Sequence, residues 1–265
     1  MKYRSVLTIA GSDSGGGAGI QADIKTITAL DCYAASAITA ITVQNTLGVE
    51  AVHAVPIDII KGQIEAVLSD IGADAVKIGM LQSAEIVQCV AEMIRKYKIK
   101  NVVLDPVMVS TSGHKLLEAS AIETLQAELI PLARVITPNI PEAEILLGDA
   151  VLDSQQTLKS AAKRLAEKFG VSVLLKAGHL TEDLLTDYFY DIETNEVLEL
   201  SSQRIYTRNT HGTGCTMSSA LASFLAKGYT LCEAAQGAKD FIAAAIQAGA
   251  NYEIGHGHGP VKWNH

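Results

Sequence analysis

The chain has 265 residues, 48% of them hydrophobic and 19% charged, which is enough apolar material for a large core and excludes intrinsic disorder and small disulfide-framed folds. Twenty-one basic against twenty-nine acidic residues give a formal net charge of −8, which argues against a nucleic-acid partner because such binding rests on Lys and Arg. Any anion-binding site must therefore be formed by a few residues and not by the overall charge of the protein.

Strand-like apolar runs alternate with helix-like apolar stripes along most of the chain, which is typical of βα units around a parallel sheet. The runs predict buried strands over residues 6–10, 34–43, 75–80, 102–105, 135–137 and 171–176. The stripes predict helices that begin near Ile20, Ile57, Ile86, Ile122 and Leu158.

The last third of the chain has a different pattern. Short strands or hairpins are predicted up to residue 206, with Asn195 in a turn, and two Ala-rich helices follow over 213–227 and 231–249. Because no linker, repeat or charge block divides the chain, we predict a single three-layer α/β domain over residues 1–265 with a mostly parallel central sheet. The Gly/His-rich tail from about residue 254 predicts a flexible C-terminus rather than a metal-binding tract.

The four cysteines lie far apart and include no CxxC pair. This spacing argues against a zinc cage or a disulfide framework and favours reduced thiols in the cytoplasm. The longest uncharged run, residues 32–49, contains Gln44, Asn45, a Ser and three Thr, so we expect no membrane span. The first apolar run is also too short for a signal peptide.

The loop after the first predicted strand, residues 11–19, contains five glycines. In open α/β sheets, ligands bind beyond the carboxyl ends of the strands. Residues 17–22 match a relaxed GxGxxA pattern, but Asp31 follows too soon to be the ribose-binding acid of a dinucleotide fold, and no Walker motif occurs. We interpret residues 15–19 as a lid over a ligand, the alternative being an ordinary surface loop.

The sharpest local signal is the sequence NTHGTGCT at residues 209–216, directly before an apolar helix. Gly212, Thr213 and Gly214 allow successive backbone N–H groups to converge, and the helix dipole adds positive potential. This predicts an anion hole for a transferred phosphoryl group. Cys215 stands at the same helix start, so we expect its thiol pKa to be lowered; the alternative is a buried structural cysteine.

Polar residues also follow other predicted strands. Asp105 is a candidate to bind Mg²⁺ directly or through water, and Glu142, close to Asn139 at a predicted helix start, is a candidate to hold a metal-bound water. Lys176 is a candidate for bridging phosphates. Each residue also has an ordinary interpretation, as a strand-end cap, a helix-start acid or a snorkelling lysine.

Five segments, taken in order, resemble the hydroxymethylpyrimidine/phosphomethylpyrimidine kinases of thiamine biosynthesis. They are AGSDSGGGAGIQAD at 10–23, AVKIGML at 75–81, DPVM at 105–108, TPN at 137–139 with Glu142, and HGTGCT at 211–216. The resemblance runs from about residue 6 to about residue 245. It implies a ribokinase-like fold and ATP-dependent phosphorylation of 4-amino-5-hydroxymethyl-2-methylpyrimidine and then of its monophosphate.

The resemblance also implies roles for single residues. Asp23 and Gln44 would hydrogen-bond the aminopyrimidine, whose polar edge would be read by a carboxylate and an amide. Lys176 and the turn at 212–215 would hold the phosphates of ATP, with Asn139 and Glu142 near Mg²⁺. Cys215 would be a thiolate base at a position where most ribokinase-like sugar kinases carry Asp. The residues expected against the pyrimidine ring are Gly11, Met80 and Val107.

Two alternatives stay open. Pyridoxal kinase is the close one, because pyridoxal also carries a hydroxymethyl group on a planar heteroaromatic ring, although Gln44 and Met80 favour the pyrimidine. The other is a non-catalytic sensor that binds the pyrimidine, against which the anion hole with Cys215 and Lys176 argues. We also expect a homodimer.

Overall fold

A mostly parallel sheet forms the centre of the protein, which is described from a computed structural model covering residues 2–108, 119–148, 151–178 and 183–265. Within these residues one sheet of nine strands has the order β3-β2-β1-β4-β5-β6-β7-β8-β9. The strands are β1 Ser5–Asp13, β2 Tyr33–Asn45, β3 Gly48–Ala54, β4 Ala75–Ile78, β5 Val102–Leu104, β6 Val135–Ile136, β7 Ser172–Leu175, β8 Leu184–Asp191 and β9 Glu196–Gln203.

The six strands in the middle of the sheet, β2-β1-β4-β5-β6-β7, pair in parallel. Strand β3 at one edge and strands β8 and β9 at the other pair antiparallel. The helices cover both faces of the sheet. They are α1 Gly19–Ala29, α2 Ile57–Asp70, α3 Ala84–Tyr97, α4 Ala119–Thr124 with irregular turns to Leu132, α5 Ile140–Leu147, α6 Gln155–Phe169, α7 Thr213–Ala226 and α8 Leu231–Gly249. In the part of the chain that is described, no helix is long and apolar enough to cross a membrane.

Alternation along the buried strands creates two cores. In β1, Leu7 and Ile9 face the core shared with α2 to α6, whereas Val6 faces the core shared with α1, α7 and α8. The same alternation in β4 places Val76 and Ile78 on the first side. Successive side chains of a strand point to opposite faces, so strands buried on both faces produce the three layers that the sequence predicts. The predicted fold class is confirmed.

Local signals explain where several helices begin and end. Capping boxes start α6 at Ser154 and α8 at Thr230. Each N-cap side chain accepts the backbone N–H of the third helical residue, whose side chain accepts the N-cap backbone N–H in return. Gly148 and Gly170 end α5 and α6 with φ of 88° and 70°. This left-handed conformation closes a helix at little cost only for glycine.

Some elements differ from the sequence-based expectation. The hairpin β8–β9 is confirmed, with Asn195 at its turn with φ of 60°. Strand β3 was not predicted, because its side chains are largely exposed and lack an alternating apolar pattern. Strand β1 continues to Asp13, three residues beyond the predicted end, which carries the sheet into the glycine-rich loop.

The C-terminal tail is docked on the protein, so the prediction of a flexible tail from about residue 254 is wrong. The His258 N–H donates to the Thr46 carbonyl oxygen at 2.9 Å, and the Trp263 indole N–H donates to Thr216 Oγ1 at 2.9 Å. A Cβ atom at Gly257 would lie 2.0 Å from the Thr46 carbonyl oxygen. The tail glycines therefore serve close backbone packing rather than mobility.

Candidate active site

The carboxyl ends of β5, β6 and β7 bring a carboxylate and a lysine together. Asp105, which follows β5 and is 2% exposed, accepts hydrogen bonds from Lys176 Nζ at 2.9 Å and Thr137 Oγ1 at 3.0 Å. Burial lowers the pKa of Lys176, but the carboxylates of Asp105 and Glu142 outweigh it and raise that pKa above its ordinary value. Lys176 is therefore a charged ammonium, partly open to solvent, at the edge of the sheet.

The start of α7 faces this ion pair. Gly212 is its N-cap, with φ of 80°, and a Cβ atom at Gly214 would lie 3.3 Å from Lys176 Nζ and 3.5 Å from Asp105 Oδ2. The Thr213 N–H donates to the Thr210 carbonyl oxygen at 3.3 Å, whereas Gly214 and Cys215 lie in the first turn, where an α-helix supplies no acceptor for the N–H group. The helix start and Lys176 thus direct positive potential at one place.

Cys215 is at the predicted position, but its predicted acidity is wrong. Burial raises the pKa of its thiol to about 11, and Lys77 opposes this while the carboxylates of Asp23 and Asp105 add to it. A hydrogen bond from the Gly19 N–H also favours the thiolate. Desolvation and two nearby carboxylates outweigh the helix start, so the resting side chain is a neutral thiol.

Asn139 and Glu142 form the capping box that starts α5. Asn139 Oδ1 accepts the Glu142 N–H at 2.9 Å, and Glu142 Oε2 accepts the Asn139 N–H at 2.9 Å. Burial raises the pKa of Glu142 to about 7, and Asp105 contributes to the rise while Lys176 opposes it. The surroundings of Glu142 thus disfavour its ionised form, and carboxyl groups with such shifted pKa values are common at functional sites.

The raised pKa of Glu142 predicts a pH-dependent stability. Between its ordinary pKa of 4.5 and about 7 the folded protein binds more protons than the unfolded chain, so the free energy of unfolding falls as pH rises through this window. Glu142→Gln keeps an acceptor for the Asn139 N–H but cannot ionise. We expect the variant to be more stable than the parent at pH 8, by on the order of 1–3 kcal/mol.

Urea denaturation of both proteins at pH 5 and pH 8, without nucleotide, measures this effect. The two proteins should have similar stability at pH 5 and diverge at pH 8. An equal pH dependence in the two proteins would show that Glu142 does not titrate in this range.

Asp13 and His211 join the glycine-rich loop to the start of α7, and sequence reasoning did not select either as a site residue. Asp13 accepts the N–H groups of Gly15, Gly17 and Ala18 at 2.8 to 3.0 Å, and His211 Nε2 lies 2.9 Å from Asp13 Oδ2. Both residues lie inside the segments 10–23 and 211–216, but they are 198 positions apart in the chain, so no local pattern shows the pairing.

Two of the residues expected to lie against a substrate ring are in contact with each other. A Cβ atom at Gly11 would lie 2.6 Å from Met80 Cε, so a larger residue there would require the end of the Met80 side chain to move. Gln44, near the end of β2, is half-buried, and its Nε2 lies 3.3 Å from His211 Nε2. Val107 is partly exposed, and its N–H donates to the Asp105 carbonyl oxygen at 2.8 Å.

Asp23 is placed differently from the expectation. It is fully buried, and Lys77 Nζ lies 2.9 Å from both of its carboxylate oxygens. Thr8 Oγ1 and Ser219 Oγ donate to the same carboxylate at 2.6 and 2.7 Å. With four donor contacts inside the protein and no exposure, Asp23 does not fit the expected role of direct substrate ligand. The available signal was Lys77, a charge inside an apolar strand.

This arrangement is that of a phosphotransferase. A helix start, a partly exposed lysine and two carboxylates meet at the ligand-binding edge of a three-layer α/β fold, and a glycine-rich loop covers the adjacent strand end. Within the described residues no group of three or more His, Cys, Asp or Glu side chains is arranged to hold a metal by itself.

Comparisons with known proteins agree with this class. The family model described as phosphomethylpyrimidine kinase matches residues 13–262. The hydroxymethylpyrimidine/phosphomethylpyrimidine kinase of Rhizobium meliloti is 49% identical over 98% of this chain and 96% of its own length. The chain belongs to the phosphomethylpyrimidine kinase family.

Solved structures support the same conclusion. A phosphomethylpyrimidine kinase from Clostridium difficile is 45% identical, with a TM-score of 0.80 over 92% of this chain and 99% of that one. An ADP complex of Bacillus subtilis pyridoxal kinase is 40% identical, with a TM-score of 0.89 over 98% of this chain and 97% of that one. The fold is ribokinase-like.

Proposed function

We propose that this kinase transfers the γ-phosphoryl group of ATP to the hydroxymethyl group of 4-amino-5-hydroxymethyl-2-methylpyrimidine, and then phosphorylates the monophosphate to the diphosphate, in thiamine biosynthesis. The observation that carries the proposal is the match to hydroxymethylpyrimidine/phosphomethylpyrimidine kinases along nearly the whole chain, on a fold with Lys176 and the start of α7 side by side.

The phosphoryl group would be held by groups fixed before the reaction. Lys176 and the N–H groups of Gly214 and Cys215 supply positive potential in a largely dehydrated place, where it acts more strongly than in water. Because the transition state of phosphoryl transfer needs positioning and charge stabilisation above all, these groups are suited to the reaction. Gly212 and Thr213 would shape the turn.

The donor set suits a hydrated Mg²⁺ that arrives with the nucleotide. Mg²⁺ prefers oxygen ligands and usually keeps several waters while one or two carboxylates and substrate phosphates complete its shell. Asp105 and Glu142 would hold it, whereas Asn139 Oδ1 is the N-cap of α5 and has a structural role. When bound, the ion would neutralise charge on the phosphates.

The substrate ring would lie over Gly11 and Met80, beside Gln44 and Val107. An aminopyrimidine presents an N–H donor next to a ring-nitrogen acceptor, and a carboxamide can pair with both. We assign this reading to Gln44, since Asp23 is committed to Lys77. Asp23 would act beneath the site by holding Lys77, whose charge lowers the pKa of Cys215 while the Asp23 carboxylate itself raises it.

Pyridoxal phosphorylation is the second candidate function, favoured by the likeness to the Bacillus subtilis pyridoxal kinase. A coupled assay of ADP release with the pyrimidine alcohol, its monophosphate and pyridoxal, run side by side, separates the two candidates. We expect the highest kcat/KM for the pyrimidine alcohol. A kcat/KM for pyridoxal that exceeds both pyrimidine values would overturn the assignment.

The glycine loop, residues 15–19, is proposed to be a lid that excludes water. Gly16 has φ of 76°, and its N–H donates to the Asp13 carbonyl oxygen at 2.9 Å, so Gly16→Pro removes both the conformation and the donor. We expect more water to reach the γ-phosphate, which raises the ratio of ADP formed to pyrimidine phosphorylated above one.

The control for the lid is Gly62→Ala, since Gly62 lies in α2 with open space around its Cβ position. The control should keep both activity and the ratio. If Gly16→Pro also keeps the wild-type ratio and full activity, the loop is not a lid.

A further inference from the structure

We propose that His211 is a positioning residue for substrate recognition: its Nε2–H, anchored on Asp13, fixes the orientation of the Gln44 carboxamide, so that the kinase accepts an amino-substituted ring and rejects its oxo analogue. The inference rests on the proposed function, because it assigns the ring-reading role to Gln44. The contacts among Asp13, His211, Gln44 and Thr42 carry the argument.

Asp13 determines which nitrogen of His211 carries a proton. Its carboxylate is 2% exposed and already accepts three backbone N–H groups, an arrangement that suits the ionised form. Burial raises the pKa of Asp13, but the hydrogen bond from His211 and those from the loop outweigh burial and hold it below its ordinary value. An ionised carboxylate 2.9 Å from His211 Nε2 requires that this nitrogen be protonated and donate.

The protonated Nε2 in turn determines the orientation of the Gln44 amide. Gln44 Oε1 lies 3.0 Å from Thr42 Oγ1, and Gln44 Nε2 lies 3.3 Å from His211 Nε2. Thr42 has one hydroxyl proton but two acceptors within reach, the Ser12 carbonyl oxygen at 2.9 Å and Gln44 Oε1 at 3.0 Å, so it can serve only one of them. At the other end of the amide, Gln44 Nε2 and the protonated His211 Nε2 are both donors. Turning the amide by 180° removes both conflicts. Its N–H then donates to Thr42 Oγ1, which is free to donate to Ser12, and its oxygen faces the single His211 Nε2–H, which is shared between Asp13 Oδ2 at 2.9 Å and the amide at 3.3 Å.

In this orientation the amide has hydrogen-bonding capacity left for a ligand. Oε1 accepts from His211 with one lone pair, and Nε2 donates one N–H to Thr42, so a second lone pair and a second N–H stay available. An exocyclic amine beside a ring nitrogen needs this acceptor and donor pair. The oxo analogue presents a carbonyl beside a ring N–H, which is the inverse pattern.

The backbone makes His211 a fixed support. A Cβ atom at Gly17 would lie 2.2 Å from His211 Cδ2, and one at Gly212 would lie 1.8 Å from the Gly17 carbonyl oxygen. The His211 N–H donates to the Gly259 carbonyl oxygen of the docked tail at 3.0 Å. The His211 backbone is therefore held by the tail, and its ring packs against the loop at Gly17.

The test compares kcat/KM for the aminopyrimidine alcohol and for its 4-oxo analogue. His211→Phe keeps a ring beside Gly17 but removes the donor, and we expect the ratio of the two values to fall roughly 10- to 100-fold. The loss should come from a higher KM for the aminopyrimidine, with the KM for ATP little changed. His211→Gln, which keeps an N–H donor, should recover most of the ratio, and His53→Phe on exposed β3 is the matched control.

Thr42→Val provides a second test if His211→Phe folds poorly. The substitution removes the hydroxyl at the other end of the Gln44 amide, while valine keeps the shape of the threonine side chain. It should also lower the ratio. Wild-type ratios in both His211→Phe and Thr42→Val would overturn the proposal, as would equal rises in KM for ATP and for the aminopyrimidine. A parent enzyme that phosphorylates neither pyrimidine would instead refute the proposed function.

Discussion

The Lys77→Met variant is expected to lose roughly 3–5 kcal/mol of unfolding free energy, the largest stability effect that we predict. Lys77 and Asp23 both have 0% side-chain exposure and face each other at 2.9 Å between β4 and α1. Removing the ammonium leaves the Asp23 carboxylate buried with only the hydroxyls of Thr8 and Ser219 as partners. A buried charge without its counter-ion costs far more than the pair contributes.

Urea denaturation gives the measurement, and two further variants make it specific. Lys77→Met with Asp23→Asn should recover at least half of the loss, because the unpaired charge is gone while an acceptor for the hydroxyls is kept. Lys163→Met removes an exposed ion pair with Glu167 and should change stability by less than about 1 kcal/mol. A loss for Lys77→Met no larger than that of Lys163→Met would contradict the account of the pair.

The Cys215→Ala variant is expected to lose about 10²- to 10⁴-fold in kcat while it keeps its fold and its affinity for the pyrimidine. The thiol stands at the start of α7, next to the proposed phosphoryl position, and its pKa of about 11 leaves little thiolate at neutral pH. If the small thiolate fraction is the base, kcat of the parent rises about tenfold per pH unit below this pKa until another step limits the rate.

The pH profile distinguishes the base from a merely structural cysteine. Between pH 7 and pH 9 the parent should gain activity, and Cys215→Ala should be slow and nearly independent of pH. Alkylation of the parent by iodoacetamide should accelerate over the same range, because the thiolate is the nucleophile. An unchanged kcat in Cys215→Ala would exclude the base role.

The strands and helices were predictable where a side-chain pattern reports burial. The runs that became β1, β4 and β5 are apolar because both of their faces are covered, and the stripes of α3 and α6 follow from one covered face. Strand β3 and the docked tail left no such pattern. Strand β3 is ordered by backbone pairing with its neighbouring strand. The tail is ordered by close backbone contacts with Thr46 and Asn209 and by the hydrogen bond of the Trp263 indole.

The site was predictable as a set of strand-end residues, but not in its electrostatics. The helix-start rule placed Cys215 correctly and gave the wrong sign for its pKa, since burial and the carboxylates of Asp23 and Asp105, which come from distant parts of the chain, raise it. The same limit hid the pairing of Asp13 with His211. It also hid the burial of Asp23 against Lys77, so Asp23 kept the substrate-ligand role that the family resemblance implied. A charge such as Lys77 inside an apolar strand shows that a partner exists, but not which one.

The central claim is that one site phosphorylates the pyrimidine alcohol twice, with Lys176 and the start of α7 holding the transferred group. ³¹P NMR of the purified protein with ATP, Mg²⁺ and the pyrimidine alcohol tests it most directly. The account predicts a pyrimidine monophosphate that converts to the diphosphate, with two ADP formed per diphosphate, and neither product with Lys176→Met. ADP formation by the parent protein without any phosphorylated pyrimidine would contradict it.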